Sequence, residues 1–283
     1  MYILIELIKG QTRIDWETGL EDWSLETWVR WFSYSSLLVE PPSVWQDTSI
    51  QSALVYKTLK KHGIRKGLVL DAGCGIGRMT IALAELGYDV IGIDISPNFV
   101  EKANERIVRA GVEDKAKCIV GDLRDLPEVV GGMRFDVILS WYSSFGFYGD
   151  EVDKSILRGF AWVAKKNALL LIDVENRDSV LRARNYQEKY AWTIEHGDHV
   201  MIAESKYDPW TAMDNTVIHV YKRGVGRLER VVDLPLKFRL YSLHELAKLY
   251  RDSGWEPVEA FGDWKGSKFE LTSPRLILIG KRY

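Results

Sequence analysis

The chain has 283 residues, of which 46% are hydrophobic and 28% are charged, the composition of an ordinary globular protein. Its formal net charge of −2 provides no basic excess to neutralise phosphates, which argues against nucleic-acid binding. Two cysteines are too few for a disulfide framework or a metal cluster, so no metal site is predicted. Glu6 and Lys9 interrupt the apolar N-terminus too early for a signal peptide or a membrane span, and a cytoplasmic enzyme is expected.

Residues 1–66 contain five of the 11 tryptophans and predict a helical N-terminal segment that ends in a helix over Ser49–His62. Two interpretations of these aromatic residues are open. They pack the segment onto the following domain, or they form a lid over a site, and the two are equally favoured for Trp31 and Trp45. As a lid, the segment would place Trp45 beside a cofactor and Trp31 beside a substrate, with Tyr34 a catalytic candidate by position only.

The stretch from Leu68 to Asp94, LVLDAGCGIGRMTIALAELGYDVIGID, predicts a strand, a glycine-rich turn, a helix and a second strand. Asp94 ends the second strand, where an acid can accept hydrogen bonds from ribose hydroxyls. A dinucleotide fingerprint would need its third glycine where this chain has Arg78. Asp71, at the end of the first strand, is poorly placed for a pyrophosphate and well placed for a cation. The turn therefore favours S-adenosylmethionine (SAM), which carries a sulfonium and no phosphate, over NAD.

Strands and helices keep alternating after this unit. The residues predict a helix from Pro97 to about Ala110 with Ser96 as its N-cap, and a buried strand over Phe135–Ser140. The remaining predicted elements are the strand AKCIVGD, a helix over Glu151–Ala164, the strand ALLLIDV, a helix from Ser242 to Ser253, and two strands near EPVEAF and PRLILIGKR. This alternation predicts an α/β fold, a doubly wound, mostly parallel, Rossmann-like sheet over residues 67–283.

The alternation lapses between about residues 177 and 240. That stretch is polar and aromatic, with short β-like runs such as HVMIAESKY and NTVIHVYKRG. It is too long for a connecting loop in a compact domain and should have structure of its own. We expect an antiparallel β insertion that lies over the site.

Several segments make the chain resemble one family from about Trp45 to Tyr283. The turn D-x-G-x-G-x-G, SWYSSFGFYGDEVD after the fourth strand, DVENRDSVL after the fifth, and the C-terminal tail are similar to segments of class I SAM-dependent methyltransferases, in particular a small-molecule-type subgroup with an SFGYF-like segment. Two departures stand out. Lys166-Asn167-Ala168 replaces the usual Pro-Gly-Gly turn, and the tryptophan-rich N-terminus is not part of the pattern.

The resemblance implies that Asp94 holds the ribose, Asp122 the adenine amino group, and the Asp71 turn the methionine end of SAM. Strand ends of a parallel sheet converge on one crevice, so residues after successive strands should share the site. The predicted cofactor-binding residues are Asp71, Ala72, Gly73, Cys74, Gly75, Gly77, Asp94, Ile95, Asp122, Leu123, Ser140, Trp141 and Trp45. The predicted substrate pocket contains Trp31, Tyr142, Phe145, Arg177, Arg239 and Tyr241.

The expected reaction is in-line displacement of a methyl group from SAM, with S-adenosylhomocysteine (SAH) as product. Holding the reactants in line contributes much of the rate enhancement of methyl transfer, so the reaction needs few catalytic side chains. Candidates for a general base, by position only, are Tyr142, Tyr34, Glu175, His196 and His199. Arg177, Arg239 and Tyr241 could recognise an anionic or polar group of the substrate, and surface ion pairs are equally favoured for them.

The acceptor is not specified by any motif. A small-molecule N or O acceptor ranks first, a peptide or protein second and RNA third. A non-catalytic SAM-binding sensor or partner subunit is the alternative from another class. No membrane association is expected, and a homodimer is possible.

Overall fold

Strands and helices alternate along the first half of the chain in the computed structural model, which describes residues 45–283. The elements up to the fourth strand are α1 (Thr48–Lys61), β1 (Leu68–Ala72), α2 (Arg78–Glu85), β2 (Asp89–Asp94), α3 (Pro97–Ala110), β3 (Ala116–Val120), α4 (Leu126–Val129) and β4 (Phe135–Ser140). They are followed by α5 (Asp150–Val163), β5 (Ala164–Glu175), α6 (Arg177–Ala183), β6 (Lys189–His196), β7 (His199–Asp208), β8 (Met213–Gly224), β9 (Arg227–Arg239), α7 (Leu243–Asp252), β10 (Trp255–Phe261) and β11 (Arg275–Arg282). None of the helices within residues 45–283 is long and apolar enough to cross a membrane.

Seven strands form one sheet in the order β10-β11-β5-β4-β1-β2-β3. Strand β1 pairs in parallel with both β2 and β4, while β11 runs antiparallel between β5 and β10. The strand order reverses between β1 and β4, which is where open α/β sheets bind their ligands. The predicted doubly wound, mostly parallel sheet is confirmed.

Both faces of this sheet are buried. Val69 and Leu70, neighbours on β1, are fully buried and belong to two different apolar clusters. Alternate residues of a strand point to opposite faces, so a continuous apolar run is what a sheet covered on both sides requires. Helices therefore lie on both faces, and only the sheet's edges and strand ends remain for function.

The insertion is a separate antiparallel sheet in the order β6-β7-β8-β9. One of its faces packs Leu236 and neighbouring apolar residues against Ile95, Phe147 and Tyr148, which follow strands of the main sheet. The predicted antiparallel insertion is confirmed for residues 189–239. Its first part is corrected, because residues 177–183 form the helix α6, whose N-cap Asn176 accepts a hydrogen bond from Asp178 N at 3.2 Å.

Local signals in the sequence identify several element ends correctly. Ser96 Oγ accepts a hydrogen bond from Phe99 N (3.3 Å), and Ser242 forms a capping box with Glu245 at the start of α7. Asn167, where the usual Pro-Gly-Gly turn is replaced, lies within β5 and has φ +65°, a conformation that asparagine tolerates better than most residues. The N-terminal lid over residues 1–66 falls largely outside the described residues, which contain only its last part, with α1.

Candidate active site

A cavity of about 430 Å³ opens at the carboxyl edge of the main sheet. Its lining comes from the glycine turn after β1 and from the ends of β2, β3, β4 and β5. Leu236 and Phe238 of β9 cover one side, and Trp264 from the β10–β11 loop lines another. The volume lies in the range of small-molecule pockets, which is about 300–1,000 Å³.

The glycine turn presents bare backbone to the cavity. Gly75 has φ +53°, and a side chain placed on it would meet no atom within 4 Å, so the space beyond it is open. Gly77 has φ +82° and caps α2, where a side chain would come within 3.0 Å of Ala103. Glycine is required at the first position for backbone conformation and ligand approach, and at the second also for helix packing.

Asp94 is held rigidly at the end of β2. Its Oδ2 accepts a hydrogen bond from Gly75 N (2.8 Å) and its Oδ1 from Ser96 N (2.9 Å). The residue is buried but lines the cavity, and burial raises its pKa to about 6. The carboxylate therefore stands at a fixed place, with lone pairs left for further donors.

Asp71 and Arg78 place opposite charges in the same cavity. Asp71 is buried, its Oδ2 accepts a hydrogen bond from Thr80 Oγ1 (2.6 Å), and burial raises its pKa to about 6. Arg78 is also buried, with its guanidinium 5.3 Å from the ring of Tyr142. In the sequence Arg78 counted only as a missing glycine, so its presence in the cavity is a finding of the structure.

Asp122 and Leu123 line the cavity after β3. The Asp122 carboxylate already accepts hydrogen bonds from Arg124, at 2.6 Å from Nη2 and 2.8 Å from the backbone N. Partial burial alone would raise the pKa of Asp122, but these bonds and the charge of Arg124 lower it. An adenine amino group would have to share this carboxylate with Arg124.

The segment after β4 is strained where it enters the cavity. Tyr142 and Ser143 both have left-handed backbone conformations, with φ +58° and +61°. Asp173, which is fully buried, stabilises them, since its Oδ2 accepts a hydrogen bond from Tyr142 N (3.1 Å) and its carbonyl oxygen one from Ser143 N (2.9 Å). Strain of this kind persists where surrounding contacts enforce it, often at functional sites.

The same carboxylate collects two residues from the end of the chain. Trp264 Nε1 donates to Asp173 Oδ2 (3.1 Å), and Arg275 Nε donates to Oδ1 (2.8 Å). The Trp264 ring stacks on Tyr142 with centroids 5.7 Å apart. Sequence reasoning missed both Trp264 and Arg275, although they lie in the C-terminal segment that resembles the methyltransferases.

Most predicted residues near the glycine turn and strand ends do line one cavity. They are Asp71, Gly73, Cys74, Gly75, Asp94, Ile95, Asp122, Leu123, Trp141, Tyr142, Phe145 and Glu175. Ala72, Gly77 and Ser140 do not contribute to its surface, and Trp45 lies outside it with Arg106 over its ring at 5.1 Å. His196 and His199 lie at the β6–β7 hairpin, away from the lining, and Trp31 and Tyr34 fall outside the described residues.

Three residues expected in the substrate pocket lie outside the cavity: Arg177, Arg239 and Tyr241. Arg239 is buried and paired with Asp150 (2.8 Å) and Glu245 (3.1 Å), and Arg177 pairs with the same glutamate at 2.6 Å. Tyr241 Oη donates to Asp153 Oδ2 at 2.8 Å. Their polar groups serve internal contacts, which corrects the expectation that they face a substrate.

Comparison with known proteins agrees with this geometry. Residues 69–167 match the family model described as a methyltransferase domain. The glycine/sarcosine N-methyltransferase of Aphanothece halophytica is 30% identical over 219 residues, covering 77% of this chain and 76% of that protein.

Solved structures share the fold. A SAM-dependent methyltransferase from Clostridium acetobutylicum superposes with a TM-score of 0.72 at 14% identity, covering 89% of this chain and 96% of that one. The CcbJ methyltransferase from Streptomyces caelestis gives a TM-score of 0.71 at 20% identity, covering 83% and 89%. The glycine turn and the acids at the strand ends agree with these relatives, and the chain belongs to the class I SAM-dependent methyltransferases.

Proposed function

We propose that this methyltransferase transfers the methyl group of SAM to a small-molecule N or O acceptor. The observation that carries the proposal is the cover over the cavity, where Phe238 of β9, Phe147 and the stacked pair Tyr142–Trp264 stand around the strand ends. Aromatic walls under a lid suit a small acceptor better than folded RNA or a polypeptide. The relative from Aphanothece halophytica, named for glycine and sarcosine, supports a nitrogen acceptor.

The cavity residues fit SAM in their chemistry. Asp94 offers a fixed carboxylate for ribose hydroxyls, and Asp71 offers one for an ammonium group. Asp122 and Leu123 are proposed for the adenine, with Arg124 sharing the Asp122 carboxylate. SAM supplies a methyl group already activated by its sulfonium.

The protein's contribution is to orient the acceptor and to exclude water. Holding two reactants in line is worth roughly 7–11 kcal/mol of an activation barrier. Water exclusion strengthens the polar contacts around the reacting atoms. Tyr142 and Glu175 line the cavity and are the groups proposed to accept a proton from the acceptor, if it carries one.

An acceptor screen tests the proposal. The protein is incubated with methyl-labelled SAM and with glycine, sarcosine, amino sugars, phenols, a peptide mixture and total RNA, and both SAH and the labelled product are measured. We expect label in a small molecule with equimolar SAH. Labelling of peptide or RNA only would overturn the proposal, and tight SAM binding without turnover on any fraction, including a metabolite extract, would favour a sensor.

A further inference from the structure

Arg78 is a buried cation that has no ion-pair partner among residues 45–283. Only 8% of the residue is exposed, and that part faces the cavity. Its Nη1 donates to two neutral oxygens, Gln51 Oε1 (2.7 Å) and Thr48 Oγ1 (3.1 Å). The other two buried arginines of the described chain, Arg184 and Arg239, are each paired with carboxylates.

A buried charge without a direct ion-pair contact opposes folding, because it loses water while carboxylates such as Asp71 attract it only from beyond ion-pair distance. Burial accordingly lowers the pKa of Arg78 below that of an ordinary arginine. Neutral hydrogen bonds orient the group without neutralising it. A cation kept in this state, at the wall of a cavity, is suited to an anionic group that arrives with a ligand.

We propose that Arg78 binds the α-carboxylate at the methionine end of SAM and SAH. Arg78 is the first residue of α2, directly after the glycine turn, and Asp71 lines the same cavity. A carboxylate and a guanidinium in one cavity complement a zwitterion, with Asp71 for the α-ammonium group and Arg78 for the α-carboxylate. An arginine also presents two parallel N–H groups to a carboxylate, which a lysine cannot do.

The surroundings leave one edge of the guanidinium available. Gln51 Oε1 accepts hydrogen bonds from both Arg78 Nη1 and Trp141 Nε1 (3.1 Å), which ties α1, α2 and the β4 end together. The Tyr142 ring packs over the guanidinium. No acceptor among the described residues takes up Nε or Nη2.

The test compares SAH with its decarboxylated analogue, S-adenosyl-3-thiopropylamine, by calorimetric titration of the full-length protein. The wild-type protein should prefer SAH by about 10- to 100-fold, the range of hydrogen bonds to charged groups. Arg78→Gln should bind SAH more weakly by that factor, and its affinity for the analogue should change less than about twofold. The SAH affinity of Arg78→Lys should lie between those of the wild type and Arg78→Gln, because lysine keeps the charge and loses the paired N–H geometry.

A second readout separates binding from a structural role. The Arg78→Gln substitution removes a buried charge and also the Nη1 hydrogen bonds to Gln51 and Thr48, so the melting temperature of the cofactor-free variant is measured first, as the reference. SAH should then raise that temperature less than it does in the wild type. Equal loss of affinity for both ligands, accompanied by a lower melting temperature, would show a structural role and overturn the proposal.

Arg275→Lys is the matched control, because Arg275 also lines the cavity but is paired with Asp173, and lysine keeps a positive charge beside that buried carboxylate. It should leave the preference for SAH over the analogue intact. Loss of the preference in this variant and not in Arg78→Gln would assign the carboxylate to Arg275. The proposal would also be overturned if the wild-type protein did not prefer SAH over the analogue. Unchanged SAH binding in Arg78→Gln would overturn it too, and would indicate that Arg78 binds a carboxylate of the acceptor instead.

Discussion

Asp71 and Asp94, at the carboxyl edge of the sheet, are buried acids that still line the cavity. Burial raises the pKa of each to about 6, from an ordinary value of 3.8. Ionisation of each acid therefore opposes folding above pH about 6. That cost is absent below pH about 4, where the folded and unfolded chains both hold the proton. We infer that such residues are retained for their ligand and not for stability.

The pH dependence of SAH binding follows from these two acids. Affinity should be constant above pH about 7 and should weaken as the pH falls through about 6, since a protonated carboxyl accepts fewer hydrogen bonds. Asp94→Asn should cost about 1–3 kcal/mol of SAH binding at pH 8 and should reduce the pH dependence to the part due to Asp71. Calorimetry between pH 5 and 8 measures both. Asp89→Asn, at the exposed start of the same strand, is the control, and an Asp94→Asn protein with wild-type affinity would contradict the ribose role.

Among the elements, the insertion is fastened to the main domain at both of its ends by one side chain. Glu245, in the first turn of α7, pairs with Arg177 at the start of α6 (2.6 Å) and with Arg239 at the end of β9 (3.1 Å). Burial alone would raise the pKa of Glu245, but hydrogen bonds from Ser242 and the nearby charge of Arg239 lower it to about 2. Its contribution to stability is complete above the ordinary pKa of 4.5 and is lost as the pH falls toward 2.

Glu245→Gln should loosen this attachment. We expect the free energy of unfolding at pH 7 to fall by about 1–2 kcal/mol, because two partly exposed ion pairs lose their charge. Hydrogen exchange should accelerate in residues 177–183 and 237–241 and stay unchanged in β1 and β4. Asp252→Asn, which removes surface ion pairs at the other end of α7, provides the comparison. Equal exchange in both variants would show that Glu245 does not fasten the insertion.

A second junction joins three elements at Asp173. Asp173→Asn removes the fully buried carboxylate charge that pairs with Arg275. It also weakens the hydrogen bonds that Tyr142 N and Trp264 Nε1 donate to this side chain. Loss of one partner of a buried ion pair typically costs about 3–5 kcal/mol, so the free energy of unfolding measured in urea should fall by about that amount. Turnover of whichever acceptor the screen identifies should fall at least tenfold more than SAH affinity, because the strained segment after β4 is the part of the cavity that we propose for the acceptor. A parallel loss of both would place Asp173 on the cofactor side instead.

Across the whole molecule, the order of the strands divides the site in two. The turn after β1 and the ends of β2 and β3 carry Asp71, Asp94 and Asp122, the residues proposed for SAM. On the other side of the reversal point, β4, β5 and β11 bring Tyr142, Asp173 and Arg275 together. The separate antiparallel sheet then covers the edge on which both halves open.

The half of the cavity proposed for SAM could be predicted from the sequence because its residues are close along the chain. Asp71, Gly75 and Asp94 belong to a single strand-turn-helix-strand unit, whose geometry is nearly independent of the rest. Helix caps such as Ser96 and Ser242 are likewise recognisable, since each bonds within its own first turn. The sequence pattern does not indicate the helix α6, because the β-like runs on its C-terminal side give the whole stretch from residue 177 to residue 240 a β-rich composition.

The half of the cavity proposed for the acceptor depends on contacts between distant parts of the chain. Strand β11 lies antiparallel beside β5, and this pairing brings Arg275 and Trp264 to Asp173, about a hundred residues away in sequence. Residue type alone predicts that Arg177 and Arg239 face a substrate, whereas their position beside Glu245 pairs both of them with that carboxylate. The sequence by itself determined the β/α alternation, the glycine turn and the acids that follow the strands, because these rest on local periodicity and backbone conformation. Only the tertiary structure decided which charges are neutralised internally and which, like Arg78, face the cavity, because that depends on the partners that packing supplies.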